Sequence, residues 1–265
     1  MVIDFHTHVF PDSLAGRAVK SLEEATGHVF TAVTDGTLAG LLSHMDTSGV
    51  DVSVILPVVT KPSQTRATNE WSAAAQSERI VAFGGIYPHG GDYRSDIDYA
   101  AQLGLRGLKF HAEYQDFIVD DIEMLRIYDY ALSRGLIIVH HAGADPAYKP
   151  PFRSSPRQFA NVAGAMRGGV IVAAHFGGHA QWDDVERHLA GRDIYLDTSM
   201  GFEYFTMERF VSVTAKHGAD KILFATDSPW GEAKREIEGI ISSPLDESAK
   251  ELILGGNAER ILGLS

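Results

Sequence analysis

The chain has 265 residues, of which 45% are hydrophobic and 22% charged, with a formal net charge of −12. This composition is ordinary for a globular protein with a sizeable core. The acidic balance disfavours nucleic acid and anionic membranes as partners, and the absence of cysteine excludes disulfides and thiolate metal sites. The N-terminus, MVIDFHTHVF, has no signal-peptide pattern, and no apolar run reaches membrane-spanning length, so we expect a cytoplasmic protein.

Short apolar or β-branched segments alternate with longer segments of helical periodicity along the whole chain. The predicted strands are residues 2–8, 52–59, 80–87, 105–111, 136–142, 169–175, 194–199 and 222–228. The predicted helices are residues 38–48, 69–77, 97–103, 122–133, 159–166, 182–189, 207–216 and 234–242, with a last helix at 247–254. This alternation indicates βαβ units and a parallel sheet. Eight units in this length predict an α/β protein that forms a single (β/α)₈ TIM barrel over residues 1–265.

A doubly wound open sheet is the alternative architecture. Such a sheet usually has a glycine-rich phosphate turn after an early strand, and residues 4–10 contain none. The segment of residues 9–36 is longer than a connection between a strand and a helix requires. We expect it to fold over the top of the barrel as part of a lid or substrate wall.

His6 and His8 stand near the end of the first predicted strand. Residues two apart on a strand point to the same face, so both should point with Asp4 into the barrel, while Ile3 and Phe5 face the helices. The C-terminal strand ends are where barrel active sites are built, and two imidazoles there can share one metal ion. An isolated HxH pair also occurs as two hydrogen-bonded core histidines.

The same signal recurs at other strand ends. The fifth predicted strand ends in His140 and His141, the sixth in His175, and the eighth in a segment with Asp227. In a barrel these ends ring one mouth. Imidazoles and a carboxylate that converge there match the ligand set of a catalytic Zn²⁺-type site with an open position.

The motifs that carry these residues resemble those of the amidohydrolase superfamily. They are HTH on strand one, HAG on strand five, HFGG on strand six and TDSP on strand eight. More narrowly, they resemble the amidohydrolase-related branch that contains aminocarboxymuconate-semialdehyde decarboxylase, resorcylate decarboxylases and pyrone-dicarboxylate lactonase. The segments GLKFHAEYQDF and GGNAERILGL are also similar to that branch, so the resemblance covers nearly the whole chain.

The resemblance implies one divalent metal ion, with Zn²⁺ favoured and Mn²⁺ as the alternative. It assigns His6, His8, His141 and Asp227 as metal ligands, and His140 would then point out of the barrel. His175 and Asp227 are the implied catalytic residues. His175 would polarise or protonate the substrate, and Asp227 would accept a proton from metal-activated water.

Lys109 and His111 share a face of the fourth predicted strand. Binuclear members of the superfamily use a carboxylated lysine on this strand to bridge two metals, which makes a binuclear site conceivable. We favour a plain lysine that pairs with Asp4 or Asp227. His111 either contacts substrate or caps the strand.

Loop residues supply further candidates for substrate binding, namely Arg153 and Trp230. Arg153 could hold a substrate carboxylate, although loop arginines are more often solvated. The remaining histidines have no converging pattern. His179 follows the HFGG turn and could reach the mouth, but we expect it at the surface.

Three functions compete. The leading hypothesis is hydrolysis of a small amide, ester or lactone by metal-activated water. The alternative is non-oxidative decarboxylation of a small carboxylic acid at the same site, and a non-catalytic barrel ranks last because every ligand position is filled. All three leave open whether the protein forms a homo-oligomer.

Overall fold

The computed structural model describes residues 1–264, and its centre is a barrel of eight parallel strands. In chain order the strands are β1 (Ile3–Thr7), β2 (Val52–Ile55), β3 (Ile80–Ala82), β4 (Gly107–Phe110), β5 (Ile137–His140), β6 (Ile171–Ala173), β7 (Tyr195–Asp197) and β8 (Ile222–Leu223). Each strand pairs with the next within β1–β3 and within β4–β8.

Two parallel bridges close the barrel. Gly84 pairs with Leu108 between β3 and β4, and Thr7 pairs with Ser228 between β8 and β1. The predicted (β/α)₈ barrel is therefore confirmed, and the open sheet is excluded. The paired strands are shorter than the predicted ones, because residues at one or both ends of each predicted segment leave the ladder. Those beyond the C-terminal ends enter the loops of the barrel mouth.

Helices surround the barrel. They are α1 (Asp12–Ala25), α2 (Leu38–Ser48), α3 (Thr65–Ala74), α4 (Tyr93–Gln102), α5 (Ala112–Gln115), α6 (Ile122–Ser133), α7 (Pro156–Ala165), α8 (Trp182–Asp184), α9 (Met207–His217), α10 (Ala233–Ser242), α11 (Glu247–Glu251) and α12 (Asn257–Leu262). Wide turns extend α8 through Val185–Leu189 and join α11 to α12 through Leu252–Gly256. Across residues 1–264, no helix combines the length and apolarity that crossing a membrane requires.

Local sequence signals set the helix ends. The side chain of Thr37 caps α2 by accepting a hydrogen bond from Gly40 N at 2.9 Å. The same helix ends at Gly49, whose φ of 78° is the left-handed conformation that glycine adopts without steric cost. The chain then turns directly into β2.

Apolar side chains form two layers. On β5, Ile138 joins the layer between the strands and the surrounding helices, whereas Ile137 and Val139 join a second cluster built from strand residues and α12. The second cluster fills the barrel interior, since it contains no residue of α1–α11. Ala258 and Leu262 of α12 close it at the end opposite the mouth.

The predicted alternation of β1 is wrong. Ile3 and Phe5 lie in the interior cluster, and Phe5 packs edge-to-face on Phe83 at 5.9 Å between ring centroids. The carboxylate of Asp4 instead accepts hydrogen bonds from the backbone and hydroxyl of Thr226, at 3.0 and 2.6 Å. The reason is a register irregularity between Asp4 and Thr7, which interrupts the two-residue period of the strand.

Candidate metal centre

His6, His8 and Asp227 bring three ligand atoms together at the barrel mouth. His6 Nε2 lies 3.1 Å from His8 Nε2, and Asp227 Oδ1 lies 3.3 Å and 3.2 Å from these two nitrogens. The three side chains have the donor types and the spacing of a divalent metal site.

Hydrogen bonds on the opposite ring edges fix the tautomers of both histidines. His6 Nδ1 lies 2.9 Å from Asp197 Oδ2, and His8 Nδ1 lies 2.6 Å from the carbonyl oxygen of Leu56. Because these oxygens accept, each Nδ1 carries the proton and each Nε2 keeps its lone pair. Two lone pairs 3.1 Å apart repel each other, and a cation between them removes the repulsion. The residues therefore fit a bound metal ion.

Asp227 is held as a carboxylate. Burial alone would raise its pKa, but the neighbouring His6, His8 and Lys109 hold the pKa below its ordinary value. Its backbone φ of 66° is left-handed, as are those of His175 at 56° and Met200 at 52°. Non-glycine residues seldom adopt this conformation, and its occurrence at three neighbouring strand ends marks a functional region.

Lys109 is buried beside this cluster, with Nζ at 2.9 Å from His6 Nε2. Burial lowers its pKa to about 8, against the opposing charges of Asp227 and Asp197. Among the residues described, Lys109 forms no ion pair within 4 Å, so the favoured pairing with Asp4 or Asp227 is not formed. Asp4 is bound to Thr226 instead.

His175 is connected to the cluster through Ser199 and Asp197. Ser199 Oγ donates to Asp197 Oδ1 and therefore accepts from His175 Nδ1, which lies 2.9 Å away. His175 Nε2 consequently bears a lone pair, and it accepts from His141 Nδ1 at 2.9 Å. Burial, followed by the neighbouring histidines, lowers the pKa of His175 well below its ordinary value, so the ring is neutral.

Sequence reasoning missed Asp197 and Ser199. Both lie in the predicted strand 194–199, and the structure buries both completely. The available signal was an acid and a hydroxyl two residues apart at the end of the strand between those that end in His175 and Asp227. Asp197 also accepts the backbone N–H of His175 at 3.0 Å, so it positions the sixth strand end as well as the first.

The ring centroids of His141 and His6 lie 4.7 Å and 5.3 Å from that of His175. His141 does not belong to the group of His6, His8 and Asp227. Its ligand atom lies within 4.8 Å of those of His111 and Asp145 instead. Its Nε2 is buried without a hydrogen-bond partner among residues 1–264. This unused acceptor capacity is compatible with the predicted ligand role.

The group of His111, His141 and Asp145 is better described as a stack than as a second metal site. The rings of His111 and His141 are 4.2 Å apart and within 18° of parallel, and Tyr114 stacks on the other face of His111 at 3.8 Å. The in-plane lone pairs of stacked rings do not converge on one ion. His111 Nε2 is 3.2 Å from Asp145 Oδ2, which holds the stack in place.

His140 points toward the helices, as expected. Its ring is fully buried among Phe110, Tyr128 and Phe159, at 5.2, 4.9 and 5.7 Å between centroids. Burial lowers its pKa to about 3, so the ring is a neutral member of the aromatic core.

A cavity of about 960 Å³ opens above the cluster. The segment 9–36 lines one side of it with Phe10, Leu14, Arg17 and Phe30, so it forms part of the cavity wall. Trp230 lines the cavity too.

Arg153 does not reach the cavity. Its side chain is 41% exposed and pairs with Asp116 at 2.8 Å on the outer surface. The cavity instead contains the cations Arg17 of α1 and Lys61, which follows β2. Leu14, Arg17 and Ser21 recur at helical spacing on the cavity side of α1, and this periodicity was the only sequence signal for Arg17.

His179 was expected at the surface and is instead buried at the cavity wall, with 8% exposure. His179 lies at the cavity because its backbone forms a parallel bridge with Gly143, in which His179 N donates to the carbonyl of Ala142 at 2.8 Å. A Cβ on Gly143 would lie 2.2 Å from His179 N, so only glycine permits this approach.

The fold and the site together define a class: (β/α)₈ barrel enzymes, with a candidate histidine and aspartate metal centre at the C-terminal strand ends. A sequence model of the Amidohydrolase family matches residues 3–264. The chain therefore belongs to the amidohydrolase family, as the motifs predicted. No curated protein matches the sequence.

Solved structures with the same fold include three decarboxylases. 5-Carboxyvanillate decarboxylase LigW from Sphingomonas paucimobilis has a TM-score of 0.71 and 16% identity, covering 100% of this chain and 99% of that one. 2,6-Dihydroxybenzoate decarboxylase from Rhizobium has a TM-score of 0.69 and 15% identity, covering 99% and 98%. Dihydroxybenzoic acid decarboxylase from Polaromonas sp. JS666, with bound manganese and the inhibitor 2-nitroresorcinol, has a TM-score of 0.70 and 14% identity, covering 99% and 97%.

Proposed function

We propose that residues 1–265 form one catalytic domain that removes the carboxyl group of a small organic acid in a metal-dependent, non-oxidative reaction. The observation that carries this proposal is the charge of the cavity. Its two acids, Asp145 and Asp227, are engaged by histidines, whereas Arg17 and Lys61 form no ion pair among residues 1–264. Unpaired cations at the cavity of a chain with net charge −12 favour an anionic ligand.

The structural neighbours support the same reaction. Those named above are decarboxylases of aromatic acids, and their similarity to this chain extends over its full length. Hydrolysis of an amide, ester or lactone, which the sequence ranked first, would use the same ligands. A neutral substrate would make no use of Arg17 and Lys61, so decarboxylation is the better-supported function.

We assign His6, His8, Asp227 and His141 as the residues that hold one divalent ion. When bound, the ion supplies a Lewis acid that polarises a substrate oxygen. Histidine and carboxylate ligation suits both Zn²⁺ and Mn²⁺. The manganese in the Polaromonas neighbour makes Mn²⁺ a full alternative to the Zn²⁺ that the motifs favoured.

Decarboxylation breaks one carbon–carbon bond, releases CO₂ and requires one proton on the carbon that remains. We assign His175 to proton delivery because it lines the cavity and its Nδ1 is anchored by Ser199. Burial keeps His175 neutral before substrate binds, and the negative charge of an organic acid raises the imidazole pKa again. Asp227 lines the same cavity as His175 and is the second residue that we assign to proton transfer. His111 and Trp230 are the proposed substrate contacts of the cavity wall.

The test is a product assay on metal-loaded protein. We expect CO₂ release from at least one acid of a panel that includes 2,6-dihydroxybenzoate and 5-carboxyvanillate, and no turnover of lactones or nitrophenyl esters. Ester or lactone hydrolysis without CO₂ release would establish the hydrolase. Inactivity of fully loaded protein toward both panels would favour a non-catalytic barrel.

A further inference from the structure

His179 is fixed in position by its backbone. Its N–H donates to the carbonyl of Ala142 at 2.8 Å, and its carbonyl accepts from Ala144 N at 2.9 Å. These two bonds tie the turn after β6 to the turn after β5. The imidazole lines the cavity, and its backbone is held at both polar atoms.

Aromatic rings hold the imidazole edge-on. The centroids of Phe30, Trp182 and Tyr204 lie 6.0, 5.6 and 5.3 Å from that of His179, with interplanar angles of 70°, 83° and 75°. His175 is the next cavity imidazole, at 6.2 Å. Phe30 belongs to the wall segment 9–36, so His179 lies where this segment meets the β6 and β7 loops.

The polar atoms of His179 are unused. Its Nδ1 is completely buried, and within residues 1–264 neither ring nitrogen has a hydrogen-bond partner. Burial lowers the pKa of His179, against the opposing charges of Asp227 and Asp145, so the ring is neutral. Nδ1 has no accessible surface, whereas Nε2 is not among the fully buried atoms, so Nε2 can donate to or accept from one hydroxyl group, according to the tautomer.

We propose that His179 is a specificity-determining residue that hydrogen-bonds a hydroxyl substituent of the substrate, separate from the carboxyl group that is lost. This assignment rests on the proposed function, because it takes the ligand to be an organic acid. Buried polar groups built for a hydroxyl reject the analogue that lacks it, since the protein atoms are then left unpaired. The aromatic frame of Phe30, Trp182 and Tyr204 prevents His179 from turning to another partner.

The experiment is calorimetric titration of metal-loaded protein with benzoate and with 2-, 3- and 4-hydroxybenzoate. Wild type should bind at least one hydroxybenzoate about tenfold more tightly than benzoate. His179→Phe keeps the aromatic packing and should abolish this preference while leaving benzoate affinity within about twofold. His179→Asn is the second variant if the first does not fold, and it should reduce the preference. His188→Phe, outside the cavity lining, is the matched control and should retain it.

The outcomes separate the two proposals. Binding of benzoate with no hydroxyl preference, or a preference that survives both substitutions, overturns the role of His179 alone. Failure of all four acids to bind overturns the role of His179 alone, because CO₂ release from the wider panel tests decarboxylation separately. A hydroxyl preference lost in His179→Phe, together with no CO₂ release from any acid, supports the role of His179 and overturns decarboxylation.

Discussion

The carboxylate of Asp197 accepts a hydrogen bond from His6 Nδ1 at 2.9 Å, and this contact decides which nitrogen of His6 faces the ligand cluster. It joins the end of β7 to β1 across the barrel. Ser199 extends the connection to His175, so one carboxylate orients both a proposed metal ligand and the proposed proton donor. Partners of this kind raise ligand basicity and hold the imidazole in its binding tautomer.

Asp197→Asn should therefore weaken metal affinity by about 10–100-fold while the protein stays folded. The amide removes the charge, and it cannot accept every hydrogen bond that the carboxylate receives. Competition with a metal-binding dye measures the affinity. Asp193→Asn is the matched control, since Asp193 is 78% exposed and pairs with Lys221. Equal affinities in both variants would argue against the orienting role.

His175→Gln should lower kcat by about 10²–10⁴-fold, the usual contribution of general acid catalysis, and leave bound metal unchanged. The reason is that His175 lies outside the group of His6, His8 and Asp227, and the glutamine carbonyl can still accept the hydrogen bond of His141 Nδ1. Steady-state kinetics with metal analysis checks both parts. Loss of metal together with activity would instead make His175 a ligand.

Arg17→Ala and Lys61→Ala should each raise KM for an organic acid by about tenfold, because each removes a charge-assisted contact. High salt should reduce the difference from wild type, since both side chains are exposed. Lys20→Ala on the same helix is the control, as Lys20 is outside the cavity lining and pairs with Glu24 at 3.8 Å. Unchanged KM in both cavity variants would contradict the anion-binding role.

His217 predicts a pH dependence of stability that is independent of the active site. Burial lowers its pKa to about 4, and its Nδ1 accepts from Gly191 N at 3.2 Å, so protonation in the folded state is unfavourable. Between pH 6.5 and about 4 the unfolded chain binds more protons, so this contribution to stability is lost as the pH falls. His217→Gln should flatten the dependence by up to about 1.4 kcal/mol per pH unit in denaturant titrations. A wild-type slope in the variant would refute this.

The sequence was sufficient to predict the barrel, because short apolar segments typical of strands alternate regularly with longer segments of helical periodicity. It failed locally at β1, where strict alternation put Asp4 with His6 and put Phe5 against the helices. A register irregularity depends on how β1 pairs with β2, and a single strand contains no information about that pairing. Strand lengths were overestimated for a related reason. The end of a strand is set by the last residue that hydrogen-bonds to the neighbouring strand, and the sequence of one strand does not show which residue that is.

The site was predicted best where a residue type is rare and chemically specific. His6, His8 and Asp227 converge as their motifs indicated. Arg153, Arg17 and His179 show the opposite case, because loop paths decide which cations and imidazoles reach a cavity. Asp197 remained unnoticed since an aspartate at a strand end is common, and only its contact with His6 gives it a role.

The most direct test of the metal centre is the metal content of purified, reconstituted protein measured by mass spectrometry. The structure predicts about one divalent ion per chain in wild type and in His89→Ala, an exposed histidine outside the cavity lining. It predicts strong loss of the ion in His8→Ala. Metal-free wild type after reconstitution, or full metal content in His8→Ala, would contradict a metal centre at His6, His8 and Asp227.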